Sequence, residues 1–231
     1  MKLNKILNAL SHPGAIIDYV FRCKKLSKIL FAHKTEIDKF LREADEVAKE
    51  LEIFGKAHGN FTGVRLLDCS VLYTVVRVLR PKIVVETGVS NGVSSRCILE
   101  ALKRSNHGIL YSIDLPREIS LAAIPPDKEI GWLVPDSVRK RWKLILGDSK
   151  EVLPRLLSEC GEIDIFLHDS DHSYEHMIFE FRTAWKHLNR NGMLLAHDIN
   201  QNKAFEDFIR EVKPPIYTTF GILGVIKKVG K

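Results

Sequence analysis

Five acidic positions at the ends of short apolar runs carry most of the chemistry in this 231-residue sequence. Glu86 closes the run Lys82-Ile83-Val84-Val85, Asp114 closes Ile109–Ile113, and Asp148 follows Lys143–Leu146 by way of Gly147. Asp169 and Asp198 follow Ile163–Leu167 and Met193–Ala196, each just after a histidine, His168 or His197. Strands have no folding reason to finish repeatedly in carboxylates, because burying an uncompensated charge is costly. Capping of a following helix explains any one of them, but not five together. The loop after Glu86 adds glycines at 88 and 92. This G-x-x-x-G spacing is not the dinucleotide pattern G-x-G-x-x-G, and no Lys-Ser/Thr follows it as a phosphate loop requires. Asp114 is placed to accept from both hydroxyls of a ribose, and Asp148 from an exocyclic adenine amine. The set therefore suits a ligand with ribose and adenine but no phosphate. A second concentration lies at His168-Asp169-Ser170-Asp171-His172-Ser173-Tyr174-Glu175-His176, three of the chain's nine histidines in nine residues. Asp169 and His172 suit metal ligation and proton abstraction; a polar loop capped by Ser170 or Ser173 is the plainer account. His168 and His176 receive no role, since their partners cannot be placed from sequence.

Such acids form one site only if they share the carboxyl edge of a parallel sheet, and the surrounding pattern supplies it. Residues 1–31 read as one or two basic amphipathic helices. Thr35 with Asp38 makes a capping-box-like start for a helix with Ile37, Phe40, Leu41, Ala44, Val47, Ala48 and Leu51 on one face, stopped by Gly55. Between Gly63 and Arg80 the four-residue recurrence of Leu67, Val71, Val75 and Leu79 favours a helix closed by Pro81. Short strands then alternate with helices at Val93–Arg104, near Glu151–Glu159, from Tyr174 to a stop at Asn191-Gly192, and at Lys203–Val212. The runs Ile216–Phe220 and Ile222–Lys227 are separated only by Gly221, too little for a helical crossover, so at least one is antiparallel. The expectation is an α/β fold with a mostly parallel seven-stranded sheet and one antiparallel strand near the C-terminus. A helical extension is expected over residues 1–62 and the ligand-binding domain over 63–231.

A composition of 45% hydrophobic and 28% charged residues is that of an ordinary globular protein. Four dispersed cysteines, Cys23, Cys69, Cys97 and Cys160, argue for thiols in a reducing compartment and against structural zinc. The net charge of +6 resides entirely in residues 1–34, where seven basic side chains face the single acid Asp18. A nucleic-acid binder would spread its basicity over the fold, so no nucleic-acid partner is expected. The basic arm suits peripheral contact with an anionic membrane, or a helix covering the core or a homodimer interface. The segment Gly14–Phe31 is too interrupted by charge to span a bilayer, and no signal-peptide pattern is present, so the expected location is cytoplasmic. Pro125-Pro126 and Pro135 suggest a lid over the ligand mouth.

Taken together, Val84-Val85-Glu86-Thr87-Gly88-Val89-Ser90-Asn91-Gly92, the strand-terminal Asp114 and Gly147-Asp148-Ser149 resemble the cofactor motifs of class I S-adenosylmethionine-dependent methyltransferases, with a Rossmann-like fold. Gly131-Trp132-Leu133-Val134-Pro135, Arg141-Trp142 and Asp169-Ser170-Asp171-His172-Ser173-Tyr174 are similar to a narrower subgroup, which includes sugar and macrolide O-methyltransferases and cephalosporin-hydroxylase-like proteins. The resemblance spans roughly Gly63 to Val225. It implies that Glu86, Thr87, Gly88, Asn91 and Gly92 line the methionine and ribose side of the cofactor. Asp114 would hold the ribose hydroxyls, and Asp148 with Ser149 would border the adenine. It also implies Asp169 and Asp198 as ligands of Mg²⁺ or another divalent cation, although His197 or Ile199 stands where the family has an acid or amide. His172 would be the general base, with Asp169 beside it orienting the acceptor, a hydroxyl of a small molecule or glycan. A nicotinamide-dependent oxidoreductase and a catalytically inactive binding module are the alternatives.

Overall fold

The computed structural model describes residues 13–58, 66–120 and 124–230. The apolar runs form seven strands: β1 (Ile83–Thr87), β2 (Ile109–Asp114), β3 (Trp142–Leu146), β4 (Ile163–His168), β5 (Leu188–Ala196), β6 (Ile216–Phe220) and β7 (Leu223–Lys227). They make one sheet in the order β3-β2-β1-β4-β5-β7-β6. β1 pairs in parallel with β2 and β4, β2 with β3, and β4 with β5. β7 alone is antiparallel, to both β5 and β6, as the one-glycine separation demands. The direction of chain travel across the sheet reverses between β1 and β4, and there the carboxyl ends open a crevice.

Eight helices cover the sheet among the described residues: α1 (Pro13–Leu30), α2 (Lys34–His58), α3 (Leu66–Leu79), α4 (Val93–Ser105), α5 (Asp136–Arg139), α6 (Ser149–Cys160), α7 (Tyr174–His187) and α8 (Ala204–Val212). Successive strand residues point to opposite faces. Val84, Leu167 and Leu195 pack with α1–α5, whereas Val85, Phe166 and Leu194 pack with α6–α8. Leu26, Ile37, Leu41 and Leu51 of the first two helices belong to the same buried cluster as the sheet. The expected boundary at 62/63 lies outside the described residues. No described helix is long and apolar enough to cross a membrane.

Four local expectations fail for identifiable reasons. The His33 carbonyl receives the Glu36 and Ile37 amides, so α2 begins before Thr35, and Asp38 instead accepts from Tyr19 (2.8 Å) and Arg42 (2.7 Å). α2 also runs through Gly55 to His58; one interior glycine costs only about 1 kcal/mol. Asn191-Gly192 does not stop α7, which ends at His187. The pair instead exchanges backbone hydrogen bonds with Lys228, making an irregularity within β5 where the register against β4 shifts. Finally, Cys69 on α3 and Cys97 on α4 are joined as a disulfide with Cα atoms 5.8 Å apart, while Cys23 and Cys160 are free. Their separation of 28 residues conceals a proximity created by packing of α3 on α4.

Phe181 sits fully buried on α7, edge-on to His168 and Phe205 and tilted on Phe208. Phe181→Ala is expected to lower the unfolding free energy by about 3–5 kcal/mol through lost burial and an unfilled cavity, read from a chemical denaturation curve.

Candidate active site

The loop leaving β1 turns sharply, with Gly88, Ser90 and Gly92 at φ of 82°, 50° and 91°. A β-carbon at Gly88 would collide with the carbonyl oxygen of Asp169, so only glycine lets these two strand-end loops touch. Asp114 shapes the same turn. One carboxylate oxygen accepts the amides of Val89 (2.9 Å) and Ser90 (2.7 Å), and the other accepts that of Leu115 (2.7 Å). Above the turn lies a cavity of about 630 Å³, within the range of small-molecule sites. Gly88, Asp114, Asp148, Ser149, Asp169 and His172, all singled out in the sequence, line it. Ser90, Lys150, Ser170, Asp171 and His176 also line it and were not anticipated as a group.

Four expected lining residues stand behind the wall instead. Glu86 is fully buried and accepts hydroxyls from Ser94 (2.5 Å), Ser95 (2.6 Å) and Ser112 (2.7 Å), stitching β1 to α4 and β2. Thr87 donates to Glu180 at 2.5 Å. Asn91 is buried and accepts from the indole of Trp132 at 2.7 Å, while Gly92 abuts Gly131. The cause is strand alternation: with Gly88 against Asp169, the side chains of 86 and 87 fall to the two buried faces of β1. The segment after Pro125 is likewise tied down rather than free. Gly131 and Leu133 donate to the carbonyls of Ser90 and Asn91, and Trp142 fills the space a side chain at 131 would need. That segment forms a wall beside the glycine loop; the described residues give no support to a lid.

Beneath the cavity floor, sequence reading missed Glu180 on α7. This carboxylate has no exposure and accepts from Thr87 and Ser149 (2.6 Å) as well as Ser170 (2.9 Å). It also meets His168 Nδ1 at 2.6 Å and His176 Nε2 at 2.9 Å. Burial opposes its charge, but the hydrogen bonds with the two histidines prevail and hold its pKa far below the ordinary range. The available signal was the His176-to-Glu180 spacing of four on the edge of an apolar helical stripe.

Where Asp169 and His172 line the cleft, they join His197 and Asp198 in presenting donor atoms that all lie within 4.8 Å of one another. His197 Nδ1 is 3.2 Å from Asp169 and 3.1 Å from Asp198, and its Nε2 is 3.3 Å from buried Asp68. Burial works against charge on this ring, yet bonding to Asp169 and Asp68 and the nearby carboxylates raise its pKa to about 10. Asp169 moves the opposite way: burial raises its pKa, but His172 and His197 outweigh burial and lower it. Asp198 holds its place with φ of 53°, an uncommon conformation for a residue with a side chain and one that concentrates at functional sites. His172 Nε2 is buried without a hydrogen-bond partner and faces Asp169 and Asp198, each at 3.7 Å. A ring nitrogen left open between two carboxylates fits a cation between them. Two oxygen and two nitrogen donors suit Mn²⁺ or a similar transition ion better than Mg²⁺, which prefers all-oxygen surroundings.

With this geometry in hand, a family of methyltransferase domains matches residues 85–199. The chain is an S-adenosylmethionine-dependent methyltransferase of class I. That match removes the nicotinamide-dependent alternative. No curated protein matches the chain in sequence. Similar solved structures include the SAH-bound methyltransferase PaMTH1 of Podospora anserina, at 15% identity and a TM-score of 0.58 over 80% of this chain and 88% of that one. A methyltransferase of Geobacter sulfurreducens is 18% identical, with a TM-score of 0.58 over 80% and 89%. An O-methyltransferase of Bacillus cereus, solved in complex with SAH, is 13% identical, with a TM-score of 0.57 over 89% and 96%. At such identities the likeness is one of fold.

Two predictions follow from the buried carboxylates of this methyltransferase. Burial pushes the Glu86 carboxyl from 4.5 up to about 7 against the pull of its three serines. Between these values folding takes up a proton, so this contribution is full below pH 4.5 and is lost as pH rises to 7. Denaturation across that window should show the parent losing on the order of 3 kcal/mol relative to Glu86→Gln. Glu180→Ala, which leaves two buried histidines without their partner, is expected to cost about 3–5 kcal/mol in the same measurement at neutral pH.

Proposed function

We propose that this methyltransferase acts on a hydroxyl oxygen of a small molecule or glycan, with the cofactor in the crevice between β1 and β4. The observation carrying this reading is the open Nε2 of His172 between Asp169 and Asp198, in the same cleft as Asp114, Asp148 and Ser149. The cofactor supplies an electrophilic methyl carbon. Gly88 and Ser90 lend close backbone approach to its amino-acid part, Asp114 accepts its ribose hydroxyls with the lone pairs left over by the loop amides, and Asp148 and Ser149 border its base. What remains for the protein is to hold the acceptor oxygen in line and take its proton. An alcohol deprotonates poorly at neutral pH, so a base must stand at that oxygen. His172 fills that role; Asp169 and Asp198 orient its ring and stabilise the charge that it gains. Asp169 and Asp198, with His197 once it has lost its proton, would hold a divalent cation and leave His172 Nε2 free for the acceptor proton; the cation's contribution would be to lower the pKa of the bound hydroxyl.

Calorimetry with S-adenosylhomocysteine tests the cofactor site: micromolar binding is expected, and Asp114→Asn should weaken it about tenfold, equivalent to about 1.4 kcal/mol. No heat from the parent protein would refute the assignment. In assays over a panel of hydroxylated acceptors, His172→Ala should cut turnover about 10²–10⁴-fold while leaving homocysteine-cofactor affinity in place. Unchanged turnover would remove His172 as base. Mn²⁺ titration of the metal-stripped protein should give binding that Asp198→Ala abolishes; a flat titration would leave the imidazolium of His197 as the cation between the carboxylates.

A further inference from the structure

Helix α1 is apolar on two sides. Leu26, Ile29 and Leu30 pack inward, Arg22 donates to Ser70 at 2.8 Å, and Lys25 donates to the Thr219 carbonyl at 2.7 Å, fixing the helix on α3 and β6. A helix anchored this way normally turns polar residues to solvent. Here the outward arc holds Ile17, Val20 and Phe21, which are 67%, 60% and 56% exposed. With about 100° per residue, these three fall with Lys24 and Lys28 inside an arc of about 100°. Single exposed apolar residues are ordinary, but three side by side on one helical face mark a contact surface.

The charges on this face all favour one kind of occupant. Lys24 and Lys28 lie within the arc, Lys25 stands 4.5 Å over the Phe21 ring, and exposed Lys34 follows the helix. Asp18 is the only acid of α1 and sits at the margin of the arc. Past the helix end, Phe31 is 71% exposed although its backbone is left-handed (φ 54°), a conformation a bulky residue rarely takes. Lys227 of β7, itself buried, lies 4.3 Å over that ring and holds it in place, leaving the exposed charge of this face to Lys24, Lys28 and Lys34. Large apolar side chains interleaved with ammonium groups match a bilayer interface, where rings enter the acyl boundary and lysines meet phosphate headgroups.

We propose that the outer face of α1, with Phe31, docks this methyltransferase onto a membrane surface bearing anionic phospholipid. The inference does not depend on which acceptor the enzyme methylates. Co-sedimentation of the full chain with vesicles of one part phosphatidylglycerol to three parts phosphatidylcholine is the test, with pure phosphatidylcholine alongside. Binding is expected on the mixed vesicles only, to fall with added salt, and to drop about tenfold or more in the pair Lys24→Glu and Lys28→Glu. The pair Phe21→Ser and Phe31→Ser should lose binding similarly, while the affinity of both variants for S-adenosylhomocysteine stays at the parent value, since none of these residues lines the cleft. Equal binding to pure phosphatidylcholine, or no effect of either pair, would overturn the proposal. So would a failure to sediment accompanied by a dimer in analytical ultracentrifugation that Phe21→Ser dissociates, which would make the face a self-association surface.

Discussion

A buried ionised carboxylate is tolerable only when every lone pair is answered, and Glu180 meets that condition by drawing five groups from four separate stretches of chain. Thr87 ends β1, Ser149 opens α6, His168 ends β4, Ser170 follows it, and His176 sits one turn back on α7. No apolar core could impose the same demand, because apolar contacts are satisfied by many arrangements and a hydrogen-bonded charge by few. The carboxyl edges of β1 and β4 are therefore held at a fixed spacing from beneath. The cavity floor inherits that spacing, since Ser149, Ser170 and His176 line the cleft with one side and hold Glu180 with the other.

The strand-end acids divide into two kinds that look alike in sequence. Asp114, Asp148 and Asp169 stand in the cleft, while Glu86 is enclosed by three serine hydroxyls. The difference is one of parity along a strand and of where the chain leaves it, and neither can be read from residue type. The fold itself was legible, because the alternation of short apolar runs with amphipathic stretches has one economical packing, and Gly221 leaves room only for a hairpin. What escaped was lateral: the Cys69–Cys97 contact, the pairing of Asn191 and Gly192 with Lys228, and Glu180 itself. Each depends on which elements become neighbours, and sequence spacing carries no such information beyond a few residues.

His197 sets the electrostatics of the acidic cluster. Its imidazole bridges Asp169 and Asp198 and is held from behind by Asp68. The two carboxylates are thereby neutralised from within the protein, and any external cation has to compete with a proton for the same electrons. His172, with its open nitrogen, is the member of the cluster left uncommitted.

The contact of Gly88 with the Asp169 carbonyl has a consequence for how such an enzyme can be altered. Asp169 also donates its amide to the Thr87 carbonyl at 2.8 Å, so the two loops touch backbone to backbone with no side chain between them. A side chain can be exchanged to suit a new substrate; a main-chain contact offers nothing to exchange. The glycine loop after β1 and the segment that carries Asp169 and leads to His172 therefore behave as one inherited part. New acceptor preferences have to be written elsewhere, in the helices and connections that surround this fixed joint.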